Sequence, residues 1–282
     1  MSDNFRLGGD LEVHRLGFGA MRLPSRQGMF GPARDPEAGR AVLRRALDLG
    51  VDHIDTADFY TSGDGAVRAN DLIREALHPY PEDLVIATKV GPLMRPDGFT
   101  HGGPADMRGL VEANLAGLGV ERLDLVYLRV GTMEVPHGES IADRFAALAA
   151  LQDEGLIRHL GVSNVDVEHL AEARAIAPVA AVQNQYHTAK RDDAAVLAAC
   201  EAHGIAFVPF FPLGGGRDLD DPRLAKAAAR HGATVGQIGL AWLLASSPAT
   251  LAIPGTGDLG HLEQNLAAAD IELTEEDLAD LA

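Results

Sequence analysis

A lysine at the end of an apolar segment is the residue best placed to do chemistry. Lys89 follows residues 84–88 (LVIAT), which are typical of a buried parallel strand. An unpaired ammonium is costly to bury, so a lysine there needs a carboxylate partner or a catalytic task. Asp55 and Tyr60 follow the preceding predicted strand. Gathered at neighbouring strand ends, these three side chains could form a proton donor.

The Tyr60 phenol would need its pKa lowered to be poised near neutral pH, because that pKa is ordinarily about 10. A nearby Lys89 ammonium would lower it, and Asp55 would keep the ammonium charged and oriented. A carbonyl group that accepts a hydride needs such a proton. In the alternative interpretation Tyr60 is a packing residue, and Asp55 and Lys89 form a structural ion pair.

Amide and aromatic side chains follow other predicted strands. Ser163, Asn164 and Gln183 could hydrogen-bond a carboxamide, and Phe210 could stack on the ring that carries it. With Tyr60 they predict reduction of a carbonyl by a nicotinamide. We expect no metal site, because no cluster of His, Cys and carboxylates suits zinc. A serine hydrolase is disfavoured, because Ser163 lacks a nucleophile elbow.

Eight β-like segments, each followed by a helical stretch, would position these side chains. This alternation predicts an α/β protein with a (β/α)8 TIM barrel, with residues 1–282 forming a single barrel domain. A doubly wound open sheet fits less well, because the glycines at 17 and 19 lack the third glycine of a dinucleotide fingerprint. The eight segments are Arg15–Gly19, Val51–Thr56, Leu84–Lys89, Leu123–Arg129, His159–Ser163, Val179–Asn184, Ala206–Pro209 and Leu251–Pro254.

Turn and cap signals mark the ends of several elements. Residues 5–13 predict an N-terminal β-hairpin that turns at Gly8-Gly9 and lies at the barrel bottom. Helix starts are predicted at Asp35-Pro36, at Thr234 with Gln237 three residues later, and at Thr274.

Composition excludes several classes of function. The 282 residues are 46% hydrophobic and 23% charged, as expected of a globular protein with an ample core. The formal net charge of −17 argues against binding to nucleic acid or to anionic membranes, and no apolar segment approaches the length of a membrane span. Cys200 is the single cysteine, which fits a reducing compartment. We expect a cytoplasmic protein with a small-molecule substrate and no obligate protein partner.

Six motifs distributed over nearly the whole chain resemble those of the aldo-keto reductases. The resemblance implies a barrel that binds NADPH across its top, with Tyr60 as the general acid and with Asp55 and Lys89 tuning it. The motifs are 16–21 (LGFGAM), 53–60 (HIDTADFY), 87–89 (ATK), 161–164 (GVSN), 183–187 (QNQYH) and 253–256 (IPGT).

The resemblance also implies a set of cofactor contacts. Ser163, Asn164 and Gln183 would hold the nicotinamide amide, and Phe210 would stack beneath the ring. Further contacts are implied for Gly19, Ala20, Met21, Asp55, Phe211, Leu213 and Gly214.

The segment after the last predicted strand would receive the adenosine end of the cofactor. Relatives that prefer NADPH often carry a basic residue there, for which His261 is the candidate. Thr256 and the turn formed by Gly255 and Gly257 offer further anion contacts, whereas Asp258 would repel a phosphate if it pointed inward. We expect NADPH, with NADH possible. Gln264 and Asn265 are placed to bind adenine.

The chain departs from the family pattern at Arg129, where a histidine usually ends the fourth strand. Together with residues 30–32 and 208–215, this arginine makes the chain resemble a bacterial subgroup that is similar to pyridoxal reductases. Arginine stays protonated, so it could polarise a carbonyl, lower the Tyr60 pKa or pair with a phenolate. The alternative is an arginine turned away to pair with a carboxylate such as Glu134. The predicted substrate pocket comprises Phe30, Phe59, Tyr60 and Arg129.

The favoured function is therefore NADPH-dependent reduction of an aldehyde or ketone, including pyridoxal to pyridoxine. Two alternatives stay open at this point. One is a cofactor-binding, redox-sensing module with little turnover, and the other is an alcohol or sugar dehydrogenase that runs the reverse reaction.

Overall fold

Seven parallel strands form one curled sheet in the computed structural model, which describes residues 4–26, 29–95, 98–216 and 219–282. Several apolar segments without polar alternation form these strands, as a sheet buried on both faces requires. Numbered in chain order and given in spatial order, the strands are β11 (Ala206–Phe207), β10 (Val179–Gln183), β9 (Ile157–Ser163), β8 (Leu123–Arg129), β5 (Val85–Val90), β4 (His53–Asp55) and β3 (Phe18–Gly19).

The eighth predicted strand closes the barrel without forming a regular strand. The Leu251 N–H donates to the Phe207 carbonyl and the Ala252 N–H to the Arg15 carbonyl, each at 2.8 Å. The prediction of a strand over 251–254 is wrong in detail, because its flanking strands β3 and β11 have only two residues each and leave isolated bridges. The backbone hydrogen bonds nevertheless join both edges of the sheet, as the predicted barrel requires.

Helices on the outside of the barrel separate most of the strands. Asp35 caps the first helix by accepting from the Glu37 N–H at 3.1 Å, and Thr234 caps the helix that begins at Val235 by accepting from the Gln237 N–H at 3.2 Å. Thr274 caps the helix that begins at Glu275 likewise, so all three predicted helix starts are confirmed. The helices are α1 (Pro36–Asp48), α2 (Ala69–Leu77), α3 (Met107–Leu118), α4 (Ala142–Asp153), α5 (Val167–Ile176), α6 (Ala194–His203), α7 (Pro222–His231), α8 (Val235–Ser246), α9 (Leu259–Ala267) and α10 (Glu275–Asp280).

The predicted N-terminal hairpin is present, with β1 (Asn4–Leu7) and β2 (Leu11–His14) paired antiparallel. Leu7 and Val13 are buried in the cluster that includes Val85, at the N-terminal end of β5. The hairpin therefore covers the barrel end remote from the strand C-termini, as predicted. Among the described residues, no helix combines the length and the apolarity that a membrane crossing requires.

A second hairpin, which the sequence analysis did not anticipate, follows β5. It consists of β6 (Pro92–Arg95) and β7 (Gly98–His101), paired antiparallel. It carries Phe99, which is 41% exposed. Both strands have only four residues, so neither shows a clear hydrophobic alternation. The hairpin lies at the same end of the barrel as Lys89.

A glycine on β9 makes room for a large side chain inside the barrel. Gly161 pairs with Tyr127 of β8, and a Cβ at position 161 would lie 2.6 Å from Tyr127 Cδ1 and 2.8 Å from the Ala181 carbonyl oxygen. Tyr127 is among the largest fully buried side chains. The tyrosine inside and the neighbouring strand therefore require glycine at this position.

We predict that Gly161→Ala destabilises the protein by about 1–3 kcal/mol, the usual range for overpacking a core. Gly109→Ala is the matched control, because a Cβ at this position in α3 meets nothing within 4 Å. It should raise stability by roughly 0.5–1 kcal/mol, since alanine favours helix more than glycine does. Urea unfolding measures both, and an equal response of the two variants would contradict the packing explanation.

Candidate active site

A buried ion pair joins the C-terminal ends of β4 and β5. Lys89 Nζ lies 2.5 Å from Asp55 Oδ1 and also donates to the Thr56 carbonyl at 3.0 Å. The two side chains are only 5% and 6% exposed. Burial acts to lower the pKa of Lys89, but Asp55 and the neighbouring Tyr60 raise it above its ordinary value. Lys89 is therefore a fixed positive charge beneath the open end of the barrel.

The Tyr60 phenol lies beside this ammonium. Lys89 Nζ is 4.9 Å from the Tyr60 ring centroid, and the tyrosine is 8% exposed. Burial raises the pKa of Tyr60 most strongly, Lys89 and Arg129 lower it, and Asp55 raises it, with a net increase. The predicted lysine contribution thus has the right sign, but the expected net decrease is wrong because burial outweighs it. Tyr60 stays protonated at neutral pH, the state that a proton donor needs.

A third strand supports the carboxylate of the ion pair. Gln183 Nε2 donates to Asp55 Oδ2 at 2.8 Å, and the same side chain hydrogen-bonds the Tyr127 phenol. Burial raises the pKa of Tyr127 well above its ordinary value, so this phenol is neutral. The sequence analysis missed Tyr127, although its position two residues before Arg129 on β8 places both on the same face of the sheet.

Arg129 has no carboxylate partner among the described residues. Its Nη1 donates to Ser163 Oγ at 3.3 Å, and its Cζ lies 4.7 Å from the Phe210 ring centroid. The alternative of an ion pair with Glu134 is wrong, because the guanidinium also donates to the Thr132 carbonyl and lies against the aromatic ring instead. Burial lowers the pKa of Arg129 to about 10, so it is charged at neutral pH.

The amide side chain of Asn164 is bound to the protein itself. Both of its hydrogens are engaged, because Nδ2 donates to the Val130 carbonyl at 3.0 Å and to the Glu134 carbonyl at 2.8 Å. Asn164 has a positive φ of 63°, a conformation that asparagine tolerates better than most residues. This side chain secures the loop after β8, and its role toward a nicotinamide stays a prediction.

A cavity of about 770 Å³ opens above these residues and collects most of the predicted site. The predicted residues that line it are Gly19, Met21, Asp55, Phe59, Tyr60, Lys89, Arg129, Gln183, Phe210, Phe211, Leu213, Gly255, Thr256, Gly257 and His261. The predicted residues outside the lining are Ala20, Phe30, Ser163, Asn164, Gly214, Gln264 and Asn265. Lining residues that the sequence analysis missed include Arg22, Arg26, Arg34, Phe99, His101, Thr132 and Met133.

Aromatic rings form one wall of the cavity. The Phe99 ring of the unpredicted hairpin lies 6.2 Å from that of Phe59 and 5.3 Å from that of Phe30. Phe59 in turn packs edge-on against Tyr60, with 5.2 Å between centroids. Phe30 therefore supports Phe99 from behind instead of facing the cavity itself. The wall is apolar and lies beside the Tyr60 ring.

The charges that line the cavity are mainly positive, although the chain as a whole carries −17. Among the described residues, five cationic side chains face two carboxylates there. The cations are Arg22, Arg26, Arg34, Lys89 and Arg129, and the carboxylates are Asp55 and Asp258. This lining suits an anionic ligand, and a dinucleotide with its phosphates fits both its charge and its size.

We predict that Asp55→Asn destabilises the protein by roughly 3–5 kcal/mol at pH 7, because it leaves a buried ammonium without its counter-charge. Without Asp55, burial would lower the pKa of Lys89 below the value of about 10.4 in the unfolded chain. The variant should therefore regain stability as the pH rises from 7 to 10. The wild type should gain nothing from this lysine over that range, because its folded-state pKa is raised.

Denaturant unfolding at several pH values measures this difference. Asp192→Asn removes the carboxylate of an exposed pair with Lys190 and should leave the midpoint unchanged. A deficit in Asp55→Asn that does not depend on pH would show that the loss comes from packing and not from the unpaired charge.

Comparisons with known proteins agree with the geometry of this site. The model of the aldo/keto reductase family matches residues 15–282. A pyridoxine 4-dehydrogenase of Escherichia coli is 46% identical over 285 residues, covering 100% of this chain and 98% of the relative. An uncharacterised oxidoreductase of Schizosaccharomyces pombe is 40% identical, covering 97% and 87%. An aldo-keto reductase of Klebsiella pneumoniae, solved with NADPH, has a TM-score of 0.81 and 30% identity over 100% and 94% of the two chains.

These matches cover the barrel strands and the loops that carry Asp55, Tyr60, Lys89 and Arg129. They confirm the predicted fold and the predicted resemblance to a bacterial reductase subgroup. The chain belongs to the aldo/keto reductase family.

Proposed function

We propose that this chain reduces an aldehyde or ketone with NADPH and that Tyr60 donates the proton. The observation that carries the proposal is the buried Asp55–Lys89 pair beside a protonated Tyr60 at the floor of a cationic cavity. NADPH, when bound, supplies the hydride that the carbonyl carbon accepts. Gln183 and Phe210 line the same cavity and would contact the nicotinamide.

The proton transfer follows from the charges around the phenol. As hydride reaches the carbonyl carbon, the oxygen gains negative charge and takes the proton of the Tyr60 hydroxyl. Lys89 and Arg129 both favour the phenolate that is left behind. Asp55 keeps Lys89 protonated, and its two oxygens accept hydrogen bonds from Lys89 and Gln183. Two fixed cations therefore oppose part of the burial effect that holds the proton on Tyr60.

The proposed substrate is a flat aromatic carbonyl with an anionic substituent, of which pyridoxal is the example. Phe59 and Phe99 offer an apolar wall, and Arg129 offers a guanidinium without a carboxylate partner among the described residues. A pyridoxal phenolate could pair with this guanidinium while its aldehyde lies at Tyr60. The name of the Escherichia coli relative supports this substrate class, and it describes the same chemistry in the oxidative direction.

Removal of the Tyr60 hydroxyl tests the assignment of the acid. Tyr60→Phe should lower kcat for carbonyl reduction by about 10²–10⁴, the usual contribution of a general acid, while NADPH affinity changes little. Tyr80→Phe is the matched control, because its hydroxyl donates to the Leu118 carbonyl away from the cavity. Steady-state kinetics and fluorescence titration measure the two effects. Retention of most of the activity in Tyr60→Phe would refute the assignment.

Replacement of Arg129 tests the role of the second cation. Arg129→Met removes a charge that lowers the pKa of Tyr60, so that pKa should rise. Because Tyr60 must be protonated to act as an acid, carbonyl reduction by the variant should persist to higher pH than in the wild type. The kcat/KM for pyridoxal should fall at least tenfold more than that for benzaldehyde, as expected for loss of a charge-assisted hydrogen bond.

The pH–rate profile and the ratio of the two substrates measure these effects independently. If neither changes in Arg129→Met, the arginine only supports the loop through Ser163 and Thr132.

A further inference from the structure

An arginine from the first loop reaches the segment that closes the barrel. Arg34 immediately precedes Asp35, the cap of α1, and its Nη1 donates to the Gly257 carbonyl at 3.1 Å across 223 positions of sequence. A Cβ at Gly257 would lie 2.3 Å from Arg34 Cζ, so the guanidinium lies directly against this backbone. Both residues line the cavity, on the side where β3 meets the closing segment.

The guanidinium of Arg34 has donor capacity that the described protein leaves unused. Its Nε is buried without a hydrogen-bond partner, and it is the only arginine nitrogen among the described residues in that state. No carboxylate lies within ion-pair distance of it among those residues. A buried donor without a partner is unfavourable, which points to a ligand that completes it.

The nearest acidic residue does not take this role. Asp258 lies close enough for Arg34 to contribute to lowering its pKa, but its Oδ1 accepts the His261 N–H at 2.9 Å and caps α9. Its carboxylate is therefore held at the start of the helix. The sequence analysis expected Asp258 to repel a phosphate only if it pointed inward, and the nearby Arg34 guanidinium counters its charge.

The surroundings of Arg34 favour a phosphate. Arg22 and Arg26, from the same loop, line the cavity as well, and Thr256 adds a hydroxyl on the opposite segment. A guanidinium presents parallel N–H donors that match phosphate oxygens, whereas a neutral sugar would leave its charge unpaired. The groups that act on the carbonyl come from β4, β5 and β8, so this corner is available to another part of the cofactor.

We propose that Arg34 binds the 2′-phosphate of NADPH and sets the preference for NADPH over NADH. This inference rests on the proposed function, in which the nicotinamide lies near Tyr60 and the adenosine lies elsewhere in the cavity. The 2′-phosphate is the one group that distinguishes the two cofactors. A cation that binds it must therefore increase the affinity for NADPH and not that for NADH. His261, the candidate from the sequence, lines the same cavity.

Direct binding measurements test the proposal without turnover. Arg34→Met should raise the Kd of NADPH by about 10- to 100-fold and leave the Kd of NADH within twofold, measured by protein fluorescence. Calorimetry with 2′,5′-ADP and 5′-ADP should show the same selective loss for the probe with the 2′-phosphate. Arg45→Met is the matched control, because Arg45 pairs with Glu263 on the outer helices and should change neither affinity.

Each other outcome overturns a part of the proposal. Equal losses for NADPH and NADH would place Arg34 on the pyrophosphate, and unchanged affinities would make it a structural contact to Gly257. If Arg34→Met fails to fold, Arg34→Lys serves instead, because it keeps the charge and should retain a reduced preference for NADPH. An undiminished preference in Arg34→Lys would refute the role of the parallel N–H donors of the guanidinium. Selective 2′,5′-ADP binding in a wild type that reduces no carbonyl would refute the proposed function but not the role of Arg34.

Discussion

The buried ion pair between Lys89 and Asp55 is the interaction on which the site depends. Two charges can remain inside a protein only if each is paired and hydrogen-bonded, and both conditions are met at the ends of β4 and β5. The barrel supplies the remaining contacts from β10 through Gln183, which itself contacts Tyr127 on β8. The Tyr60 phenol thus lies against a charge whose position is set by three strands. A rigid barrel is well suited to this task, since the parallel strands fix where each side chain ends.

Arg129 and the aromatic wall line another part of the pocket than the buried ion pair. The arginine is held by the Phe210 ring and by a serine hydroxyl, which leaves its charge uncompensated by any carboxylate among the described residues. The aromatic wall beside Tyr60 is formed by Phe59 and by Phe99 of the hairpin after β5, with Phe30 packed behind Phe99. The aromatic rings therefore belong to loops and to the hairpin, the ion pair belongs to the strand ends, and Arg129 contacts a ring while it also lowers the Tyr60 pKa.

The barrel and the Asp55–Lys89–Tyr60 group were predictable because they follow from local patterns. Apolar strands end in polar residues, and parallel strands bring those ends together. The contact between Arg34 and Gly257 was not predictable, because no local pattern links residues 223 positions apart. The net rise of the Tyr60 pKa was missed for another reason. The types of the neighbouring charges were known from the sequence, but the degree of burial, which outweighs them, exists only in the folded chain.

The contrast between an acidic exterior and a cationic cavity has a consequence for the kinetics of encounter. At low ionic strength the field of a chain with net charge −17 repels an approaching polyanion over tens of ångströms, and attraction begins only near the mouth of the cavity. Added salt screens the distant repulsion over the exterior more effectively than the short-range contacts inside. Association with a phosphorylated ligand therefore accelerates as salt is added while the bound complex weakens, the reverse of the rate behaviour of an enzyme whose surface steers its ligand inward.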